Sequence, residues 1–196
     1  MTVNDTWLVA GLGNPGERYE ATRHNIGQMV TDELARRIGV TFKRHTKANA
    51  RTAEGRIAPG APKLVLAKPN TYMNTSGGPI AQLRAYYDLP VERIIVIHDE
   101  LDIDFDTIKL KLGGGHGGHN GLRDTAKALG TPDYLRVRVG IGRPPGRQDP
   151  ADFVLGTFSK QERETLPMLI SDAADAVELI VRDGLTAAQN TVHARA

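Results

Sequence analysis

The chain of 196 residues contains no cysteine. That absence removes disulfides, thiolate metal sites and cysteine nucleophiles in one stroke. Nor is there an apolar run of the roughly 18 residues a membrane span requires. The N-terminus shows no charged start followed by an apolar stretch, so no signal peptide is expected, and a cytoplasmic protein is the default. Serine is sparse: Ser76, Ser159 and Ser171 are the whole complement, and none sits in a G-x-S-x-G elbow. A covalent acyl-enzyme is therefore disfavoured, and any hydrolysis must work through activated water.

What is present is an ordinary globular composition, 40% hydrophobic and 24% charged with a formal net charge of +2. The small net charge conceals a segregation. Residues 1–147 hold 21 Lys and Arg against 15 Asp and Glu, whereas residues 148–196 hold 4 against 8. Three basic groups stand out: Lys43, Arg44, Lys47, Arg51 and Arg56; then Lys109, Lys111 and Arg123; then Arg136, Arg138, Arg143 and Arg147. Any one of them could be the solvated face of a sheet. Three in one small domain favour a nucleic-acid or phosphate partner.

Strand and helix signals alternate. Strands are expected at Trp7–Ala10, Ala50–Ile57, Lys63–Ala67, Ile94–His98, Thr107–Leu112 and Tyr134–Ile141. Helices are expected at Asn25–Ile38, Pro79–Tyr87, Leu122–Leu129, Lys160–Arg182 and Thr186–His193. Runs such as Ile94-Ile95-Val96-Ile97 read as central strands buried on both faces. The pattern predicts one α/β domain over residues 1–196, with a mixed, mostly parallel central sheet flanked by helices. The length suits a single core, which grows to about 250 residues before splitting.

Gly11–Gly16 fits G-x-G-x-x-G, but its surroundings do not fit a dinucleotide site. That fingerprint needs a helix opening on the third glycine and an acidic residue about 20 positions on, at the end of a second strand. Here helical periodicity begins only near Asn25, and Asp32 and Glu33 fall inside it.

The polar residues that could carry chemistry each follow a predicted strand, where sites form in open α/β sheets. His24, at a loop-to-helix junction, is the leading candidate for a general base; its bland alternative is a histidine bonding a nearby carbonyl. Asp99 closes an apolar strand and could orient an imidazole. A rival reading gives Asp99, Glu100, Asp102, Asp104 and Asp106 to a metal, although the spacing lacks the glycine and final glutamate of a calcium loop. Asn14, Asn74 and Asn120 are either turn formers or amides that hold water and an oxyanion. Gly113–Gly121 is a flexible glycine loop that could move as a lid. It carries His116 and His119 at zinc-like spacing, without a matching third ligand. Tyr19, Tyr72 and Met73 offer flat or soft apolar surface to a substrate, with core packing an equal alternative for Met73.

Taken together, GLGNPG-x-x-Y-x-x-TRHN-x-G (Gly11–Gly27), KPNTYMNTSG (Lys68–Gly77), HDELD (His98–Asp102), GGGHGGHNGL (Gly113–Leu122), RVRVGIGRP (Arg136–Pro144) and DFVLG (Asp152–Gly156) resemble the bacterial peptidyl-tRNA hydrolase family. The motifs run in order along nearly the whole chain, with looser agreement from Asp149 onward. The resemblance implies an enzyme that cleaves the ester between a peptide and the ribose of tRNA, as a monomer without metal or cofactor. It implies His24 as general base, Asp99 as its supporting carboxylate, and Asn14 as the residue that tells blocked from free aminoacyl groups. Asn74 and Asn120 correspond to amides holding water and substrate. Tyr19 and Tyr72 correspond to aromatic substrate contacts, the second often phenylalanine in the family. Lys111 and Arg138 correspond to a basic pair on a tRNA phosphate. Two other classes remain at this point, a non-catalytic RNA-binding domain and a metal-dependent phosphoesterase.

Overall fold

The computed structural model describes residues 4–195. Seven strands form one sheet: β1 Trp7–Gly11, β2 Lys43–Arg44, β3 Ala50–Arg56, β4 Lys63–Pro69, β5 Ile94–Glu100, β6 Ile108–Leu112 and β7 Leu135–Gly140. Their order is β2-β3-β4-β1-β5-β7-β6. The pairings β4–β1, β1–β5 and β5–β7 are parallel, and those of β2–β3, β3–β4 and β6–β7 are antiparallel. The sheet is thus mixed, with its parallel strands central, where both faces are covered. Ile94 to Asp99 are all buried, as the Val-Ile run predicts.

Six helices cover the sheet: α1 Ile26–Ile38, α2 Gly77–Tyr87, α3 Asn120–Leu129, α4 Pro150–Val154, α5 Lys160–Asp183 and α6 Leu185–His193. The apolar stripe Ile26, Val30 and Leu34 of α1 packs with Ala173, Val177 and Ile180 of α5 over Val9, Leu66, Ile95 and Ile97. On the opposite face, Ile80 and Leu83 of α2 and Leu122 and Leu129 of α3 meet Leu8, Ala10, Ile94 and Val96. Gly39 and Gly130 end α1 and α3 in left-handed conformation, as their places after the periodic residues predict. The long α5 starts on a capping box, Ser159 with Glu162.

Two elements escaped the sequence reading. Strand β2 is only two residues long, and α4 spans five, too short for either to display a period. Helix α4 is instead built by local chemistry: Asp149 Oδ1 accepts the Ala151 N–H, and Pro150 occupies the first turn.

A close approach explains the glycine of TRHN-x-G. A β-carbon at Gly27 would collide with the Ile97 carbonyl oxygen and crowd the Leu12 amide. Glycine there seats the start of α1 directly on the strands, so the preceding turn lies over the carboxyl ends of β1 and β5.

Candidate active site

The turn Arg23–Asn25 alternates its side chains. Arg23 and Asn25 are buried, and His24 between them is half-buried and lines the catalytic cavity. Arg23 locks the turn to the C-terminal third of the chain. Its backbone N–H donates to Gly156 O at 3.0 Å, its guanidinium to Phe153 O at 3.2 Å and Glu162 at 2.9 Å, and it stacks 3.9 Å above the Phe153 ring. The DFVLG segment thereby holds the turn that presents His24.

His24 Nδ1 lies 2.7 Å from Asp99 Oδ2. Asp99, at the end of β5, is 2% exposed, and its other oxygen lies 2.8 Å from His119 Nε2. The hydrogen-bond partners assign the protons. His119 Nδ1 accepts the backbone N–H groups of Gly121 and Leu122 at 3.1 and 3.3 Å, capping α3. Its proton therefore sits on Nε2 and is donated to the carboxylate. An ionised Asp99 is an acceptor only, so His24 donates from Nδ1 and keeps a lone pair on Nε2, which has no partner among the described residues.

The electrostatics agree with this arrangement. Burial by itself would raise the Asp99 carboxyl, yet the charge and hydrogen bonds of His24 and His119 hold it well below the usual carboxylate range. Burial pulls the His24 imidazole down, but the charge and hydrogen bond of Asp99 outweigh it and raise its pKa above the ordinary 6.5. His98 is different: fully buried and next to His119, its pKa is pushed down to about 3, and it remains a neutral core residue.

Asn14 is fixed from three sides. Its backbone N–H donates to Asn25 Oδ1 and its carbonyl accepts from Asn25 Nδ2, both at 2.9 Å. Its own Oδ1 accepts the Met73 N–H at 2.7 Å, which leaves the Nδ2 donor uncommitted. A cavity of about 380 Å³ brings Asn14, His24, Tyr72, Met73, Asn74, Asp99 and Asn120 together. Tyr19 joins it through an edge-on contact with Tyr72, ring centres 6.2 Å apart. Leu101 of the β5–β6 loop, together with Val154 and Leu155 at the end of α4, supplies an apolar wall that the sequence did not reveal.

Lys111 and Arg138 are not in this cavity. They project from β6 and β7 on the side of each strand opposite its buried residues Leu110, Val137 and Val139. In register, Lys109 faces Arg138 and Lys111 faces Arg136. Arg136 is structural: it donates to the carbonyls of Gly114, Gly115 and Pro132 and so anchors the glycine loop.

The acidic run does not converge. Asp102 pairs with Arg143 at 2.7 Å, and Asp102, Asp104 and Asp106 are exposed. Among the described residues, the one group with metal-ligand geometry is His24, Asp99 and His119. Both carboxylate oxygens there already receive ring N–H protons, so a cation would have to displace them. His116, the other half of the zinc-like spacing, turns away and accepts the Gly118 N–H at 3.0 Å.

The sequence profile of the peptidyl-tRNA hydrolase family matches residues 8–196. The chain belongs to the peptidyl-tRNA hydrolase family. It is 61% identical over 191 residues to the peptidyl-tRNA hydrolase of Arthrobacter sp. strain FB24, covering 97% of this chain and 98% of that protein. It is 64% identical over 187 residues to that of Leifsonia xyli subsp. xyli, covering 95% and 96%. The crystal structure of peptidyl-tRNA hydrolase from Acinetobacter baumannii superposes with a TM-score of 0.89 at 36% identity, covering 99% of this chain and 97% of that one. Peptidyl-tRNA hydrolases cleave the ester of peptidyl-tRNA, and the chain is an enzyme of that family. Among the described residues, no helix is long and apolar enough to cross a membrane.

Asn25 is a polar site residue that sequence reasoning missed, and His119, weighed there only as half of a zinc-like pair, bonds Asp99 instead. Both adjoin residues it had chosen, Asn120 and His24, and His119 stands at the N-cap of α3. The sequence offered no sign that its ring would turn to Asp99.

Proposed function

We propose that the chain hydrolyses peptidyl-tRNA by general-base activation of water at His24. The observation that carries this reading is the ordered pair of bonds around Asp99, which leaves His24 Nε2 as the free basic nitrogen at the cavity. His24 Nε2 takes a proton from water as the oxygen attacks the ester carbonyl. Asp99 fixes the tautomer and stabilises the imidazolium that forms. The uncommitted Nδ2 of Asn14, with the amides of Asn74 and Asn120, steadies the carbonyl oxygen as negative charge grows. The imidazolium then returns its proton to the departing ribose oxygen. In this reading His119 is a positioning residue that acts through Asp99.

Asn14 also discriminates N-blocked from free aminoacyl groups, and Tyr19, Tyr72 and Met73 flank the acyl and ribose portions. Lys111 and Arg138 bind a tRNA phosphate outside the cavity, consistent with the basic surplus of residues 1–147. No step is routed through a metal or cofactor. The protein acts as a monomer, and the cytoplasm is where the substrate arises.

The test is release of the acyl group from N-acetyl-aminoacyl-tRNA in the presence of chelator, beside the same tRNA with a free amino group. Cleavage of the blocked substrate alone is expected. Activity that vanishes with chelator would reject the metal-free step.

A further inference from the structure

We propose that the outer edge of the sheet, strand β2 with the adjoining end of α2, binds single-stranded RNA at a surface separate from the one that meets the substrate tRNA. The first of the three basic groups, Lys43 to Arg56, has no part in the catalytic cavity or in the phosphate contact of Lys111 and Arg138. Strand β2 closes one side of the sheet and β6 the other. At about 4.8 Å between neighbouring strands, the six spacings from β2 to β6 set the two edges roughly 29 Å apart.

The edge carries charge that it does not neutralise itself. Residues 40–53 hold Lys43, Arg44, Lys47 and Arg51 and no Asp or Glu. All four are exposed, and among the described residues none of them forms an ion pair. By contrast, Arg56 of β3 pairs with Asp5, and Lys63 of β4 with Glu54. In register, Arg44 stands directly opposite Arg51. Like charges facing each other across an antiparallel pair destabilise it, and a bound polyanion turns that repulsion into attraction.

Beside these cations lies an aromatic surface. Tyr86, in the last turn of α2, is 53% exposed although it meets two rings, His45 at 4.6 Å and Tyr87 at 4.7 Å between centres. His45 is locked in place. Its Nδ1 accepts the backbone N–H groups of Lys47 and Ala48 at 3.1 and 3.0 Å, so its proton is on Nε2, 3.2 Å from the Tyr87 hydroxyl. The Asn49 N–H donates to Gln82 Oε1 of α2 at 2.9 Å. The turn that carries Lys47 is thus fixed against the helix that carries Tyr86. Cations for phosphates beside an open aromatic face for bases are what single strands bind. A duplex keeps its bases stacked on one another, and a lipid headgroup has none to stack. Thr46 and Asn49, both exposed, add a hydroxyl and an amide suited to the ribose 2′-hydroxyl, which favours RNA over DNA.

The experiment titrates a fluorescein-labelled RNA strand of about 10 nucleotides, within the roughly 4–16 that such surfaces span. Wild type is compared with Tyr86→Ala, Arg44→Gln, Lys47→Gln and the double variant Lys111→Ala/Arg138→Ala. Binding should persist in the double variant. Tyr86→Ala should weaken it about 5- to 150-fold, the loss of one stacked base. Arg44→Gln and Lys47→Gln should each lower the slope of log affinity against log salt by about 0.7. Both residues are exposed, so their variants keep the test informative if Tyr86→Ala folds poorly. These three single variants should leave kcat and KM for N-acetyl-alanyl-tRNA unchanged. Loss of strand binding in the double variant would place the RNA on the substrate surface and overturn the proposal. So would unchanged affinity in Tyr86→Ala, equal affinity for DNA of the same sequence, or a raised KM for N-acetyl-alanyl-tRNA in Arg44→Gln or Lys47→Gln. A wild type that binds the strand yet fails to cleave N-acetyl-alanyl-tRNA would sink only the hydrolase reading.

Discussion

His119 donates Nε2–H to Asp99 Oδ1 at 2.8 Å while its Nδ1 receives two backbone amides at the start of α3. One ring thus ties the carboxylate to a helix terminus and fixes which proton the carboxylate sees. Substituting His119 by Ala removes a charge-assisted bond worth about 1.5–3 kcal/mol. A loss of kcat of roughly 10- to 100-fold should follow. A merely structural role would not move the pH profile. Here, Asp99 stripped of one donor should attract the His24 proton more strongly and shift the acid limb to higher pH. His119→Gln, whose amide can still donate, should restore part of the activity.

The pH dependence of kcat/KM should follow His24. Its pKa is raised by Asp99 above 6.5, so the free base is lost as pH falls through that raised value. Activity should therefore drop on the acid side with a limb above 6.5, and Asp99→Asn should move the limb down while lowering the plateau. His24→Ala should cost about 100- to 10,000-fold in kcat with tRNA binding retained. Full turnover by a folded His24→Ala protein would reject the assignment.

Lys111→Ala and Arg138→Ala should leave kcat close to wild type and weaken tRNA binding. The slope of log affinity against log salt should fall by about 0.7–0.9 for each phosphate left without its cation. Equilibrium titrations at several salt concentrations would measure it, and an unchanged slope would count against the clamp.

Gly27→Ala should destabilise the fold. The added methyl meets the Ile97 carbonyl and the Leu12 amide, backbone atoms that cannot swing aside. Overpacking of this kind costs about 1–3 kcal/mol. At roughly 2–4 °C per kcal/mol for a domain of this size, thermal melting should show a drop of several degrees.

Most elements and most cavity residues are readable along the chain; β2, α4, Asn25 and the bond from His119 to Asp99 are not. Periodicity along Ile26–Ile38 and the unbroken apolar run of Ile94–Ile97 are local signals, because burial of a helix face or a central strand is set by spacing alone. The positions of His24, Asp99, Asn14, Asn74 and Asn120 after their strands were legible for the same reason, and Tyr72 and Met73 with them. The tertiary structure alone decided who faces whom. Asp99 is 75 residues from His24 and 20 from His119, and both bonds exist only because the sheet order sets β5 beside β1 and returns the glycine loop over its end. The same order keeps Lys111 and Arg138 out of the cavity, and the contacts of Arg23 with Phe153 bring α4, invisible to periodicity, to its wall. Hydrogen-bond direction is a property of such meetings: the tautomers of His24 and His119 follow from partners brought together by folding, and no local pattern encodes them.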